Sequence, residues 1–213
     1  ERMGVLFFNS SEAIENVKDK LYTSQILAQN NIPHPKTMLV KNPVDVNYVE
    51  NKIGFPIVVK TLTGTHGKGV QLSEDKRNFT QLMDMVEQFN TGFNIILQEF
   101  IVDSYGKDLR VVVVGGKVIG AMKRESVDGD FRANITRGGE AKPIDIDEQM
   151  EYLALESTKL LGLDISGVDL LFDGDSYKIC EVNSAPGFQG MEKYTTIKVA
   201  EQIVSYVKNK LNN

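Results

Sequence analysis

At 213 residues, with 41% hydrophobic and 25% charged side chains, the chain is ordinary for a globular protein and can bury one large or two small cores. A net charge of −5 argues against a general nucleic-acid surface, and no apolar run is long enough to span a bilayer. The first residues do not read as a secretory leader, and the single Cys180 excludes a disulfide framework, so a reducing cytoplasm is the expected setting.

The chain opens Glu1-Arg-Met-Gly-Val-Leu-Phe-Phe, without an initiating methionine. Its short apolar run has no partner before it, so residues 1–18 are expected to be the tail of an earlier domain or a linker. Apolar positions at helical spacing predict a helix over 19–30, with Asn30-Asn31 as its stop. Pro33 and Pro35 force extended backbone into a strand at 37–40. A short helix over 44–52 ends at Gly54, and a strand follows at 56–60. The loop 63–69 then leads to a strand at 70–72, a helix from a Ser73 cap to about 89, and a strand at 94–98.

Beyond that point the rhythm changes. Residues 109–114 and 117–122 flank Gly115-Gly116 and predict a hairpin with a tight turn. Residues 125–140 are polar, crowded with arginine, glycine and asparagine. An amphipathic helix over 147–161 stops at Gly162, a hairpin of two apolar runs follows, and a last helix covers 195–211. The chain therefore divides near 98–103 into a small α/β lobe, residues 19–98, and a larger α+β lobe, residues 99–213.

The hairpin carries Gly167-Val-Asp169 on one run and Glu181-Val-Asn183 on the other. Carboxylates rarely sit inside apolar strands, because an unpaired buried charge costs several kcal/mol. Hard oxygen ligands in this number suit magnesium, and Glu181 and Asn183, two apart, share a face. Asp169 joins them only if it lies opposite Glu181, which predicts a three-residue tip, Gly174-Asp175-Ser176, with Asp173 opposite Tyr177. A hairpin edge decorated with solvated acids is the other reading. Cys180, beside Glu181, reads as a small buried hydrophobe.

Three further segments carry chemistry. Lys60 ends a strand before Gly64, Gly67, Lys68 and Gly69, whose backbone N–H groups and added charge suit phosphate, although a plain turn between strands would also contain such glycines. Gln98-Glu99-Phe100-Ile101 closes a strand where the lobes meet, and Glu99 or Asp108 could offer a ribose its carboxylate. In Asp130-Phe-Arg132-Ala-Asn134-Ile-Thr-Arg137-Gly-Gly139, two arginines and an asparagine suit bidentate anion recognition, with Arg110 and Arg124 on the strands before it.

In order and spacing these segments, with Asp19-Lys20 before them and Ser184-Ala-Pro-Gly187 after, resemble the ATP-grasp superfamily, most closely its RimK-type amino-acid ligases, from about residue 19 to 207. The resemblance implies an ATP-grasp fold of two lobes clasping a nucleotide, and an N-terminal domain preceding this chain. It implies that Lys60 and Lys20 hold ATP phosphates beneath the loop 64–69, and that Glu99 and Ile101 meet adenine through backbone groups, in the segment shared with Gln98 and Phe100. Asp108 looks like the ribose ligand, Arg132 and Asn134 would reach phosphates, and Arg124 and Arg137 would steady an acyl phosphate and tetrahedral intermediate. Asp169, Glu181 and Asn183 would carry two Mg2+ ions, with Mn2+ as a substitute. The implied activity is ATP-dependent amide formation between a small amino acid, glutamate first, and a carboxylate on a peptide, protein C-terminus or metabolite. A D-alanine–D-alanine or glutathione-type ligase, or a nucleotide-binding module without turnover, are the alternatives. No membrane or general nucleic-acid partner is expected, and self-association stays open.

Overall fold

The computed structural model describes residues 1–41, 43–62, 69–89, 94–133, 135 and 138–212. In chain order its first elements are α1 (Ser11–Lys18), α2 (Lys20–Gln29), β1 (Thr37–Lys41), α3 (Val46–Lys52), β2 (Ile57–Thr61), β3 (Val70–Ser73), α4 (Lys76–Phe89) and β4 (Asn94–Glu99). Then come β5 (Lys107–Val114), β6 (Lys117–Glu125), β7 (Glu140–Pro143), α5 (Glu148–Leu160), β8 (Ile165–Asp173), β9 (Ser176–Asn183), α6 (Gln189–Tyr194) and α7 (Val199–Leu211). Capping chemistry sets several starts: the carboxylates of Asp19, Asp45 and Asp147 each accept backbone N–H groups in the first turn of α2, α3 and α5.

Two compact units emerge, Pro35–Val102 on one hand and Glu1–His34 with Asp103–Asn213 on the other. Residues 19–34, which the sequence groups with the small lobe, cluster with the larger unit. In the smaller unit four antiparallel strands run in the order β1-β4-β2-β3. Ile57 and Val59 of β2 and Ile95 and Leu97 of β4 bury against Val49 of α3 and Phe79 and Met83 of α4. Strand alternation sends Val58, Lys60, Ile96, Gln98 and Thr37 to the opposite face.

The larger unit is built on a five-stranded antiparallel sheet, β7-β6-β5-β8-β9. Leu109, Val111, Val113, Val168, Leu170, Ile179 and Val182 pack on one face against Met150, Leu153 and Ala154 of α5. Helix α1, which the sequence leaves inside a tail or linker, adds Ala13 and Val17 to that core, and α2 adds Leu27. On the reverse face, Met191 of α6 and Val199 of α7 cover Val112, Val114 and Met122, while the other end of the strands carries charged residues. Strand β7 and helix α6 are additional to the predicted elements, and the last helix starts at Val199, after α6, and not at residue 195. Among the described residues no helix is long and apolar enough to cross a membrane.

Candidate functional site

Asp169 faces Glu181, and Gly167 faces Asn183, across the β8–β9 ladder. The means differ from the expected three-residue tip. Asp173 pairs with Ser176 and Phe172 with Tyr177, so the tip is two residues, Gly174-Asp175, with Gly174 at φ +61°. That tip alone would put Asp169 and Glu181 on opposite faces. A β-bulge restores them: Leu170 pairs with Ile179 but Asp169 with Glu181, so Cys180 is the extra residue. The bulge also lets Ile179 and Val182, three apart, bury in the same core.

Asp169 is held by arginines on this face. Arg110, directly opposite on β5, donates Nε and Nη2 to its two oxygens at 2.5 and 2.6 Å, and Arg124 of β6 reaches Oδ2 at 3.1 Å. Arg124 also donates to both oxygens of Asp108 at 2.6 Å. The side chains of Asp169 and Arg124 are 7% and 5% exposed, so the four charges form a buried network. Burial raises the Asp108 carboxyl above the usual range, more than its one bidentate arginine lowers it. Burial pushes Asp169 the same way, but Arg110 and Arg124 together outweigh it and hold Asp169 below that range. Burial opposes the Arg124 charge, yet the two aspartates overcome it and raise its affinity for its proton.

Beside this network Glu181 is exposed, and Asn183 donates its amide nitrogen to Gly167 O at 3.3 Å, which makes its amide oxygen the atom for a cation. Two carboxylates and one amide oxygen on one face fit a hard divalent ion such as magnesium. Among the described residues no three His, Cys, Asp or Glu side chains gather into a metal-binding group, here or elsewhere, so the asparagine is needed to complete this set.

The helix-free face of the smaller unit carries a second polar chain. Lys60 Nζ donates to Gln98 Oε1, Gln98 Nε2 donates to Thr37 Oγ1 at 3.1 Å, and Thr37 Oγ1 donates to Pro35 O at 2.8 Å. Gln98 thus aims the Lys60 ammonium. At the end of β4, the Glu99 backbone N–H donates to Lys36 O and its carboxylate accepts from Lys36 N at 3.1 Å. Phe100 N donates to Pro56 O, and Ile101 is buried. Gly69 lies at φ +70°, its carbonyl accepting from Thr61 N.

Elsewhere, Lys20 is the first residue of α2, just after its Asp19 cap. Arg132 is folded onto Asp130, its Nη2 donating to Oδ2 at 2.6 Å, with Phe131 under the guanidinium. The ribose role expected for Asp108 and the acyl-phosphate role expected for Arg124 meet a physical obstacle, since these two groups are turned on each other and nearly buried. Gly64, Gly67, Lys68, Asn134 and Arg137 lie outside the described residues.

Three residues of these arrangements lack a role in the sequence reading. Arg110 stands out there only as a strand arginine; its pairing with Asp169 requires the β5–β8 register. Thr37 gives no signal on its own. Asn9, 4% exposed, donates to Ile165 O and Ser184 O and accepts from Asp164 N and Ile165 N, fastening the start of the chain to the beginning of β8 and the residue after β9. Its only hint is a polar residue directly after the apolar run 5–8.

Comparison with known proteins agrees with this architecture. A family model described as a RimK-like ATP-grasp domain matches residues 17–207. A probable alpha-L-glutamate ligase of Legionella pneumophila is 37% identical over 211 residues, 99% of this chain and 69% of its own length. One of Maridesulfovibrio salexigens is 40% identical over 212 residues, 98% of this chain and 69% of its own. Among solved structures, the ATP-grasp ligase PsnB complexed with minimal precursor is similar at TM-score 0.76 and 21% identity, over 97% of this chain and 66% of that one. D-alanine–D-alanine ligase from Bacillus anthracis is similar at TM-score 0.71 and 19% identity, over 93% and 69%. At such identities the structural likeness is one of fold, and the chain spans about two thirds of the length of each of these four proteins.

Proposed function

Because the chain belongs to the RimK-like ATP-grasp family, and so to the ATP-dependent ligases, we propose that it joins a carboxylate to an amine through an acyl phosphate. A carboxylate oxygen of the acceptor attacks the γ-phosphorus of ATP and ADP leaves. The amine nitrogen then attacks the acyl carbon, loses a proton, and inorganic phosphate departs as the amide forms. No protein nucleophile is needed, so catalysis is positioning plus charge neutralisation. Relatives named alpha-L-glutamate ligases favour glutamate as the amine and an amino-acid-derived or peptide carboxylate as acceptor.

Within this reading, Lys60, aimed by Gln98, meets ATP phosphates, as do Lys20, Arg132 and Asn134, and the segment 64–69 covers them. Glu99 and Ile101 take adenine through backbone groups. Magnesium, held by Asp169, Glu181 and Asn183, would neutralise phosphoryl charge. Asp108 and Arg124 act through Asp169, by fixing the charge of its surroundings. The observation that carries the reading is the bulged β8–β9 register, which sets Asp169, Glu181 and Asn183 on one face.

Glu181→Gln tests it. The side chain is exposed and its exchange is close to isosteric, so melting temperature should hold, while phosphate release with ATP, Mg2+, glutamate and a panel of carboxylates falls by about 100-fold or more. Near-normal turnover in this variant would sink the metal assignment, and mass spectra of the panel's products identify the amine and the acceptor.

A further inference from the structure

Asp169, a metal carboxylate in the reading proposed above, already has a cation. Arg110 grips both of its oxygens, at 2.5 and 2.6 Å, and Arg124 adds a third bond at 3.1 Å. Two donors fill Oδ2, leaving one lone pair on Oδ1 for anything else. The arginine's own shaft lies across Gly167, where an added Cβ would come within 3.3 Å of Arg110 Cδ and 2.6 Å of Pro186 Cβ. Gly167 is the residue opposite Asn183, so Arg110 runs over the ground between Asp169 and the asparagine. An ion bridging Asp169, Glu181 and Asn183 must therefore displace the guanidinium from an oxygen or sit a few ångströms from a like charge, and either costs affinity.

We propose that Arg110 is the resident counter-cation of Asp169: it holds the carboxylate in the metal-free protein, withdraws as a divalent ion binds, and so limits the affinity of the site for free metal. This rests on the metal reading of Asp169, Glu181 and Asn183. Its consequence is that the metal enters together with phosphates, whose charge offsets that of the guanidinium. Arg110 is thus opposite in sign to a positioning residue, whose loss would weaken metal binding. Arg124 stays on Asp169 when Arg110 is replaced, so the carboxylate is not left without a partner.

The test is titration of the purified wild-type protein, Arg110→Met, Arg110→Lys and Asp169→Asn with MnCl2 alone, following free Mn2+ by electron paramagnetic resonance and melting temperature in parallel. Removing a competing charge from direct contact should tighten Mn2+ binding by roughly tenfold in Arg110→Met. Its metal-free melting temperature should fall while the rise on adding MnCl2 exceeds that of wild type. Arg110→Lys, which keeps the charge but loses the fork, should lie between, and it decides the matter if Arg110→Met does not fold. Unchanged or weaker Mn2+ binding in the Arg110 variants, with Asp169→Asn abolishing it, overturns the counter-cation role and leaves the metal site standing. Equal Mn2+ binding by wild type and Asp169→Asn removes the metal site itself, and the proposal with it.

Discussion

Arg124 stands between two aspartates that it cannot serve equally. Asp169 has a second arginine in direct contact and is held below the usual carboxylate range; Asp108 has only Arg124 in direct contact among the described residues, and burial raises it above that range. The sign for stability follows from linkage. A carboxyl raised in the fold binds its proton more tightly than in the unfolded chain, where Asp titrates near ~3.9. Its contribution is therefore fully present below that value and is lost as pH rises through the raised folded value. Wild type should lose this increment as pH climbs from about 4 toward neutrality, and Asp108→Asn, which cannot titrate, should lack that part of the slope. Urea midpoints of both proteins at several pH values from 4 to 7 measure it; parallel slopes would show that Asp108 titrates as it does in the unfolded chain.

At the scale of the element, the β8–β9 hairpin shows what was readable and what was not. The Glu181-Val-Asn183 spacing and the facing of Asp169 were legible, because strand alternation ties both to the face they share. The device that delivers the facing was not, because tip length and bulge trade off: a three-residue tip and a two-residue tip plus bulge give the same pairing at Asp169. The discriminating signal was Ile179 and Val182, apolar residues three apart in a strand, which can bury together only across an extra residue. It follows that Cys180 stands outside the ladder's pairings, so neither its thiol nor its backbone is needed for Asp169 to face Glu181. Cys180→Ala should cost under about 1 kcal/mol, and deleting residue 180 leaves Leu170 opposite Ile179, Asp169 opposite Glu181 and Val168 opposite Val182 in a regular ladder, so it should keep Val182 in the core and turnover intact. Urea unfolding and phosphate release on the two variants measure this, and loss of turnover on deleting residue 180 while Cys180→Ala is unaffected would refute the assignment of the bulge.

Over the whole molecule, turn and helix signals and short apolar runs placed most helices and strands, β7 and α6 excepted, while the strand order of the sheets was not readable. The partition was harder to read, because α2 looks from sequence like the start of the small lobe while its Leu27 belongs to the core beneath α5. Asn9 was illegible for the same reason, its partners lying 156 positions further on at Ile165. The resulting architecture is an insertion: residues 35–102 leave the larger unit after His34 and return at Asp103. Each unit has its own buried cluster, Ile57 in one and Ile179 in the other. If the smaller unit melts, the larger must still hold the ends of a long loop, but that entropy grows only with the logarithm of loop length. Two calorimetric transitions should therefore be resolved. Ile57→Val removes one buried methylene, about 1 kcal/mol, and should lower one transition by roughly 4–8 °C while leaving the other in place. Ile179→Val should move the other transition, by less per kcal/mol because the unit is larger. A common shift of both transitions in either variant would mean that the insertion and its host unfold as one cooperative body.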